Sequence, residues 1–416
     1  MAQAEDRADR WLREGAARHA RGEIAAAEAL YREVLRVRPE DANAANLLGV
    51  AARQRGDLAA ALDWGARAVA LRPGAGVFLA NYGATLAEAG RLGEAVEMLR
   101  KAAAARPDDA VTLRNLGQAL CAMGDPRAAL APLERAAVLR PDAAEPMLAL
   151  AHARREAGDL TGAAQAAEAA LARTGGDPAL AAQARFLLAA LGREAPPARA
   201  PASYVRDLFD QYAPRFEAEL TGRLRYRTPE ALAALLRMAG VPAERGLRVL
   251  DLGCGTGLSG LALAPFAARL EGLDLSPRML AEARRREGLY AALHEADLLE
   301  WLPRHPAAFD LIAAADVLNY LGDLAPALAA IGTALAPGGI AAFSIEAGGT
   351  PGTPYALGEG MRYRHDPAHV AALARAAGFA ELAREAVTLR EERGAPVAGM
   401  LFVLRWRPGA TETGHG

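Results

Sequence analysis

The sequence predicts two folds in one chain: an all-α array of repeated helix pairs, followed by an α/β domain with a mostly parallel sheet. Three observations support this prediction. Glycine, alanine and proline columns recur at one period through the first half, short apolar runs alternate with helical segments through the second, and a proline-rich segment separates them. The length of 416 residues suits two or three domains of roughly 150 residues each.

Composition indicates a folded protein and excludes several classes of function. Apolar residues make up 52% and charged residues 24%, as in globular domains. The net charge of −2 gives no basic excess for a nucleic-acid-binding face. Cys121 and Cys254 are too few for a disulfide scaffold or a Cys-rich zinc site, and no metal is expected. Lacking a signal sequence or an apolar run of membrane-spanning length, the chain is expected to be cytoplasmic, with no nucleic-acid or membrane partner.

The repeat array is defined by small residues and prolines in register. One glycine column recurs every 34 residues, at Gly15, Gly49, Gly83 and Gly117. A second glycine column follows seven residues later, at Gly22, Gly56, Gly90, Gly124 and Gly158. Proline closes the first four repeats, at Pro39, Pro73, Pro107 and Pro141. The first glycine suits a close helix crossing, the second a turn with positive φ, and the proline ends a helix because it lacks an N–H.

These columns resemble the tetratricopeptide repeat over about residues 8–192, with a degenerate fifth repeat and a capping helix near Pro178–Leu191. The resemblance implies a right-handed solenoid whose concave groove binds a protein or peptide partner. Shielding or dimerisation of the second domain is the alternative, which leaves a homo-oligomer open. Asn81 and Asn115 recur at the repeat spacing, so a scaffold role is expected for them at least as much as ligand contact.

The second half alternates strands and helices. Apolar runs beginning at Arg248, Leu270, Phe309 and Gly339 predict buried strands of a parallel sheet with helices on both faces. The last two strands, about Ala383–Leu389 and Gly399–Trp406, are joined by a short polar segment and predict an antiparallel hairpin. Such sheets bind ligands at the carboxyl ends of their strands.

A glycine-rich loop follows the first strand in the motif VLDLGCGTGLSG. Gly253, Gly255 and Gly257 allow the backbone to turn sharply and to approach a ligand closely. Gly255, Gly257 and Gly260 also match the dinucleotide pattern G-x-G-x-x-G, and Asp274 lies 19 residues beyond Gly255. Glycine spacing alone therefore does not separate NAD from other adenosine cofactors.

Acidic residues near the loop distinguish NAD from other adenosine cofactors. Asp251, inside the first strand, would repel a pyrophosphate and favours a ligand that carries an ammonium group and a sulfonium. Asp297 follows the third strand and could accept a hydrogen bond from an adenine amino group. The motifs DLGCGTG, GLDLS and ADL resemble those of a class I S-adenosylmethionine-dependent methyltransferase, from about Ala231 to Trp406.

This resemblance implies a Rossmann-like enzyme with S-adenosyl-L-methionine as co-substrate. Asp274 would bind the ribose hydroxyls, Asp251 the methionine ammonium and Asp297 the adenine. The full expected cofactor site is Asp251, Gly253, Cys254, Gly255, Gly257, Asp274, Leu275, Asp297, Leu298 and Asp316. Cys254 is expected to fill space in the loop, because methyl transfer needs no nucleophile from the enzyme.

A general base is needed only if the acceptor is a hydroxyl or a protonated amine. The candidate catalytic residues are His365, Tyr320 and Tyr363. A packing role for His365 in a loop before a helix is equally expected. His365 and His369 should not share a helical face, because the helix is expected to start near Pro367, so they do not predict a metal pair.

The segments Tyr204–Leu232 and Arg362–Phe379 resemble a group of bacterial methyltransferases fused to tetratricopeptide repeats, which implies a helical lid over the cofactor. Arg284–Arg286 is expected to be solvated helix surface. The predicted divisions are the repeats (1–192), a stiff extended linker (193–203), the methyltransferase domain (204–407, with its lid at 204–240) and a flexible tail (408–416).

The predicted function is methyl transfer from S-adenosylmethionine to an unidentified acceptor, with the repeats binding a protein or peptide. The alternative is an interaction scaffold in which the second domain only senses the cofactor or is inactive. The intact glycine loop and its three acids favour the enzyme, since an inactive remnant would be free to lose them. An NAD-linked oxidoreductase rests on Gly255–Gly260 alone.

Overall fold

A computed structural model of the chain describes residues 2–218, 220, 222, 226–349, 353–392 and 394–407. The predicted tail, 408–416, lies outside the described residues. The chain divides into two compact units, 1–184 and 185–416. The boundaries expected at 192 and 203 stay predictions. Within the described ranges, no helix is both long and apolar enough to cross a lipid bilayer.

The first unit consists of consecutive helix pairs. Its helices are α1 (Ala2–Ala20), α2 (Ile24–Val37), α3 (Ala42–Gln54), α4 (Leu58–Leu71), α5 (Gly76–Glu88), α6 (Leu92–Ala105), α7 (Ala110–Ala122), α8 (Pro126–Leu139), α9 (Ala144–Ala157) and α10 (Leu160–Leu171). The expected capping helix is present as α11 (Pro178–Ala190), which spans the division between the units. The 34-residue period therefore corresponds to one helix pair with its two turns.

The two glycine columns serve the two purposes predicted for them. In the turns, Gly22, Gly56, Gly90, Gly124 and Gly158 have φ values between 75° and 89°. In the first column, a Cβ on Gly117 would lie 2.4 Å from Leu133 Cγ, and one on Gly83 would lie 2.7 Å from Leu99 Cγ. The absence of a side chain thus sets the spacing of each helix pair, which confirms the prediction.

Polar contacts tie successive repeats together. Asn81 Nδ2 donates to Asn46 Oδ1 at 3.0 Å, and Arg53 lies 2.6 Å from Glu88 in an ion pair. Both contacts join α3 to α5. Asn81 therefore has the scaffold role that its spacing favoured.

We expect Gly117→Ala to lower the free energy of unfolding of the repeat unit by about 1–3 kcal/mol, as overpacking of a filled core does. The added methyl group would lie 2.4 Å from Cγ of Leu133, which is fully buried. The matched control is Gly93→Ala in α6, where a Cβ has nothing within 4 Å. That change should stabilise slightly, because alanine favours a helix over glycine. Equal unfolding midpoints for the two variants in urea would contradict this account of the column.

The second unit is a nine-stranded sheet with helices on both faces. Its strands are β1 (Leu247–Leu252), β2 (Ala267–Asp274), β3 (Ala292–Glu295), β4 (Phe309–Ala314), β5 (Leu335–Ala347), β6 (Tyr355–Leu357), β7 (Tyr363–His365), β8 (Phe379–Glu392) and β9 (Ala395–Trp406). Its helices after α11 are α12 (Ala202–Tyr212), α13 (Phe216–Ala218), α14 (Thr228–Met238), α15 (Leu258–Leu263), α16 (Pro277–Arg284), α17 (Leu298–Trp301), α18 (Ala325–Ala334) and α19 (Pro367–Ala376).

The strand order is β3-β2-β1-β4-β5-β7-β6, and β1 to β5 are parallel. The predicted hairpin is confirmed: β8 pairs antiparallel with β9, which itself pairs antiparallel with β5. Strand order reverses between β1 and β4, where Asp251 pairs with Ala313. The loops that follow β1 to β4 therefore lie at one edge of the sheet, around the switch point.

Successive side chains of each central strand point to opposite faces of the sheet, and both faces are covered, which explains the continuous apolar sequence of the strand. Val249 and Leu311 face one apolar cluster, while Leu250 and Ile312 face the other. Because each face of the sheet is covered by helices, both sets of side chains are removed from water. The short strands β6 and β7 were not predicted, since three residues each carry no periodic signal.

Candidate active site

The loop after β1 passes through the left-handed region at three glycines. Gly253, Gly255 and Gly257 have φ values of 61°, 54° and 93°. A Cβ on Gly253 would lie 2.4 Å from Val317 Cγ2, so this position excludes any side chain. A Cβ on Gly255 would have only Phe216 within 4 Å, at 3.5 Å. The backbone is therefore open at Gly255, where a ligand would approach it.

Asp251 is fully buried beneath this loop. Its Oδ2 accepts hydrogen bonds from Tyr290 at 2.6 Å and Ser259 at 2.7 Å, while its Oδ1 is buried and has no partner among the described residues. Burial raises the pKa of Asp251 from 3.8 to about 7. An unpartnered buried carboxylate oxygen is costly, and a hydrogen-bond donor from a ligand would relieve that cost.

Asp274, at the end of β2, is held by backbone amides. The Gly255 N–H donates to Oδ2 at 2.9 Å and the Ser276 N–H donates to Oδ1 at 2.8 Å. Burial raises the pKa of Asp274 to about 6. Ser276 caps α16 through Met279 N, so Asp274 is not needed as the cap. The structure thus brings Asp251, Asp274 and the glycine loop together, as the sequence predicted.

The remaining predicted cofactor residues lie along the same edge. The Cys254 N–H donates to Leu273 O at 3.1 Å, and burial raises the pKa of its thiol well above the usual value, so the thiol stays protonated. Leu275 O accepts from Arg206 Nε at 3.3 Å. Asp297 caps α17 through Leu299 N at 2.9 Å. Leu298 is half-buried against the core.

Asp316, after β4, has a strained backbone with φ of 57°. Its N–H donates to Ser344 Oγ at 2.8 Å, and the same hydroxyl donates back to its Oδ1 at 2.9 Å. Arg390 Nη1 lies 3.3 Å from its Oδ2. Burial raises the pKa of Asp316 despite the arginine.

Sequence reasoning missed a charge network behind Asp316. Arg390 also pairs with Glu346, and Arg362 Nε lies 2.7 Å from the same Glu346 oxygen. Glu392 accepts from Arg362 as well. Partners such as Arg390 and Glu346 are 44 positions apart, so no local pattern could have revealed the network.

Tyr226 was also missed. Its side chain interacts electrostatically with Asp316, Arg390 and Asp251, and burial raises the pKa of its hydroxyl well above the usual value. Its hydroxyl is therefore within electrostatic range of both acids. The only available signal was its place in the segment that resembles a lid.

Of the three predicted catalytic residues, Tyr320 ends a short 3-10 helix (Leu318–Tyr320) that follows β4, and Tyr363 and His365 are the first and last residues of β7. Burial raises the pKa of Tyr320 and lowers that of His365. His365 Nε2 donates to Leu321 O at 2.9 Å, while its Nδ1 is buried and has no partner in the part of the chain that the structure describes. The Tyr363 hydroxyl donates to Pro197 O at 2.7 Å. His365 belongs to β7 rather than to the expected loop, and the catalytic roles of all three residues stay predictions.

The expectation that Arg284–Arg286 is only solvated surface is wrong for Arg286. Its Nε donates to Thr256 O in the glycine loop at 2.8 Å, and its guanidinium pairs with Glu217. Helix α16 ends at Arg284, which frees Arg286 to turn toward the loop.

Comparisons with known proteins agree with this geometry. Residues 249–339 match the family profile described as "Methyltransferase domain", and residues 12–76, 75–140 and 114–178 match profiles described as "Tetratricopeptide repeat". The chain therefore combines a methyltransferase domain with tetratricopeptide repeats. The domain and its relatives imply S-adenosylmethionine as the co-substrate.

Curated relatives match the methyltransferase region in part. A ubiquinone biosynthesis O-methyltransferase of Methylocella silvestris is 33% identical over 152 residues, which are 31% of this chain and 57% of the relative. A malonyl-[acyl-carrier protein] O-methyltransferase of Enterobacter lignolyticus is 36% identical over 138 residues, 33% of this chain and 51% of the relative. A trans-aconitate 2-methyltransferase of Methylobacterium nodulans is 46% identical over 112 residues, 26% of this chain and 42% of the relative. The chain spans about half the length of the curated relatives it matches.

Solved structures similar to each half include an S-adenosylmethionine-dependent methyltransferase from Mesorhizobium loti, at 27% identity and a TM-score of 0.33, covering 42% of this chain and 95% of that one. A thermophilic TPR protein of Thermus thermophilus has 25% identity and a TM-score of 0.37, covering 43% of this chain and 97% of that one.

The raised pKa of Asp251 predicts a specific dependence of stability on pH. Because its pKa is about 7 when folded and 3.8 ordinarily, the folded protein holds a proton that the unfolded chain has released between these values. Stability from this group is therefore present at low pH and is lost as pH rises toward 7. We expect wild-type protein to lose about 2 kcal/mol more unfolding free energy between pH 5 and pH 8 than Asp251→Asn loses. Urea unfolding at the two pH values measures it, and equal losses would show that Asp251 titrates normally.

Proposed function

We propose that this chain transfers the methyl group of S-adenosylmethionine to an oxygen atom of an acceptor. The observation that carries the proposal is the pair of buried carboxylates at the glycine loop. Asp274 is fixed by the Gly255 amide, and Asp251 presents a buried oxygen without a partner. The curated relatives named O-methyltransferases support oxygen as the accepting atom.

The residues present fit an adenosyl amino acid. Asp251 Oδ1 can accept from an ammonium group, and Asp274 can accept from ribose hydroxyls while its backbone contacts keep it in place. The Thr256 hydroxyl is also buried without a partner beside them and can donate to a carboxylate. The residues that would line the remainder of the site are Gly253, Cys254, Gly257, Leu275, Asp297 and Leu298.

When bound, S-adenosylmethionine supplies an electrophilic methyl group, so the chain has to bind, orient and exclude water. Asp251 and Asp274 would fix the two ends of the molecule on either side of its sulfur. We assign the acceptor to the group formed by Asp316, Tyr320 and Tyr226. The electrostatic coupling of Tyr226 to both Asp251 and Asp316 supports this assignment.

The tyrosines would act as donors. Because burial raises the pKa of Tyr320 and Tyr226, their hydroxyls keep their protons at neutral pH, whereas the Tyr363 hydroxyl already donates to Pro197 O. His365 is the candidate base, since its lowered pKa leaves it neutral and its Nδ1 has no partner. An acceptor carboxylate is already ionised and would need no base.

For the repeats we propose a protein or peptide partner. Tetratricopeptide repeats generally mediate protein interactions, and three profile matches cover residues 12–178 without a gap. Contacts such as Asn81 to Asn46 give the array a fixed spacing on which a partner could bind. The scaffold function remains the alternative that the labelling experiment below distinguishes.

We expect Asp274→Ala to weaken binding of S-adenosylhomocysteine by at least about a hundredfold, because two hydrogen bonds to a charged group are lost. Calorimetry on the full chain measures the affinity. The matched control is Glu295→Ala, because Glu295 pairs with Asp274 in the sheet but has an exposed side chain. Near-normal affinity in the Asp274 variant would refute the assignment of the ribose site.

Labelled methyl transfer from S-adenosylmethionine into lysate of the source cell tests the activity. We expect wild-type protein to label an acceptor and Asp274→Ala to label none. Treatment with base then identifies the bond, because a methyl ester releases volatile methanol whereas an ether does not. Label on a discrete protein would support a substrate-binding role for the repeats, and label on small molecules would not. No label in either fraction would favour the scaffold.

A further inference from the structure

One short segment contacts the loops that follow all of the first four strands. Arg199 meets the loop after β3, Ala200 the turn after β4, Asp210 the loop after β2, and Glu217 reaches Arg286, which itself bonds the loop after β1. Residues 197–217 thus cross every loop of the proposed cofactor site. The expected linker supplies the first part of this crossing.

Residues 197–200, which we call the strap, are held by backbone hydrogen bonds. Ala198 O accepts from Gly322 N at 2.8 Å and from Asp323 N at 3.0 Å. Ala200 N donates to Tyr320 O at 2.8 Å. Arg199 forms an isolated antiparallel bridge with Leu321 between these bonds. The backbone on both sides of Arg199 is therefore fixed against the end of β4.

With the strap attached in this way, the Arg199 guanidinium forms an ion pair with the Asp297 carboxylate. Nη2 pairs with Oδ2, and Nη1 lies 3.4 Å from Oδ1. The two side chains are 34% and 12% exposed, so the pair is largely shielded from water. Because the two residues are 98 positions apart, the contact depends on the strap staying in place.

We propose that Arg199 is a positioning residue for adenine recognition: it holds Asp297 so that the carboxylate accepts from the exocyclic amino group of the base. This rests on the proposed function. An ionised carboxylate has about four acceptor positions. Three of these positions are occupied: one by the N–H of Leu299, in the helix that Asp297 caps, and two by the guanidinium nitrogens of Arg199. Among the described residues, no second donor to Oδ2 accompanies Arg199, which leaves an acceptor position there for a donor from a ligand.

The chemical consequence is discrimination between purines. A carboxylate held in one plane by a planar guanidinium accepts hydrogen bonds and donates none. Adenine presents an amino donor at its sixth position, whereas hypoxanthine presents a carbonyl oxygen, which the carboxylate repels. Without Arg199, Asp297 can rotate about its side-chain bonds, and both the attraction and the repulsion weaken.

The test measures binding of S-adenosylhomocysteine and S-inosylhomocysteine to the full chain by calorimetry. We expect Arg199→Ala to weaken binding of the adenine ligand about tenfold and to lower the adenine-to-hypoxanthine affinity ratio, because Asp297 would no longer be held in the orientation that accepts from the amino group. Arg199→Lys keeps the charge without the planar fork and should restore part of the ratio. The double variant Arg199→Ala, Asp297→Asn should lose little more than Asp297→Asn alone.

Arg193→Ala is the matched control, since Arg193 is an exposed arginine a few residues upstream and should leave the ratio unchanged. If Arg199→Ala weakens binding of both ligands by the same factor, the affinity ratio is unchanged. That result would assign the pair to strap stability and overturn the inference. If wild-type protein binds neither ligand, the proposed function fails first and the inference fails with it.

Discussion

The hydrogen bond from the Gly255 N–H to Asp274 links the two halves of the proposed cofactor site. Gly255 has a positive φ, and its amide donates to the carboxylate at the end of β2 with a donor–acceptor distance of 2.9 Å. A carboxylate that is only 8% exposed would be costly without such donors. The glycine in the loop and the acid at the next strand therefore depend on each other. Neither can change without leaving the other strained or unsatisfied.

Asp251 is less well satisfied than Asp274. Its Oδ2 has two donors, but its Oδ1 has none, and burial holds its pKa at about 7. Removing the charge from water costs free energy that the rest of the fold has to offset. Functional sites are where such costs persist, because a ligand of opposite charge recovers them on binding. Under the proposed function, the same feature that lowers the stability of the free protein would thus be a source of affinity for an ammonium group.

The repeat array and the glycine loop could be predicted from sequence because both depend on short-range patterns. The columns at Gly117 and Gly124 each answer a short-range requirement, either a close crossing or a turn. The glycine loop and the acid at the end of β2 lie within one strand–helix–strand unit, so their proximity also follows from sequence. Arg199 on Asp297 and Arg390 on Glu346 could not be found in this way, because each pair is brought together only by the completed sheet. The residues around Arg199 are mostly alanine and proline, and they do not indicate that it pairs with Asp297.

The charge network behind β4 constrains how an acceptor can be recognised. Arg390 and Arg362 both contact Glu346, with Asp316 and Glu392 on their other sides, so the two guanidinium charges are already met by carboxylates. A negatively charged acceptor would have to displace a buried ion pair, which costs several kcal/mol. Under the proposed function, recognition at this edge would therefore depend on shape and on donors that keep their protons, the hydroxyls of Tyr226 and Tyr320. Selectivity for an acceptor would then arise from hydrogen-bond geometry beside a network whose guanidinium charges are already paired.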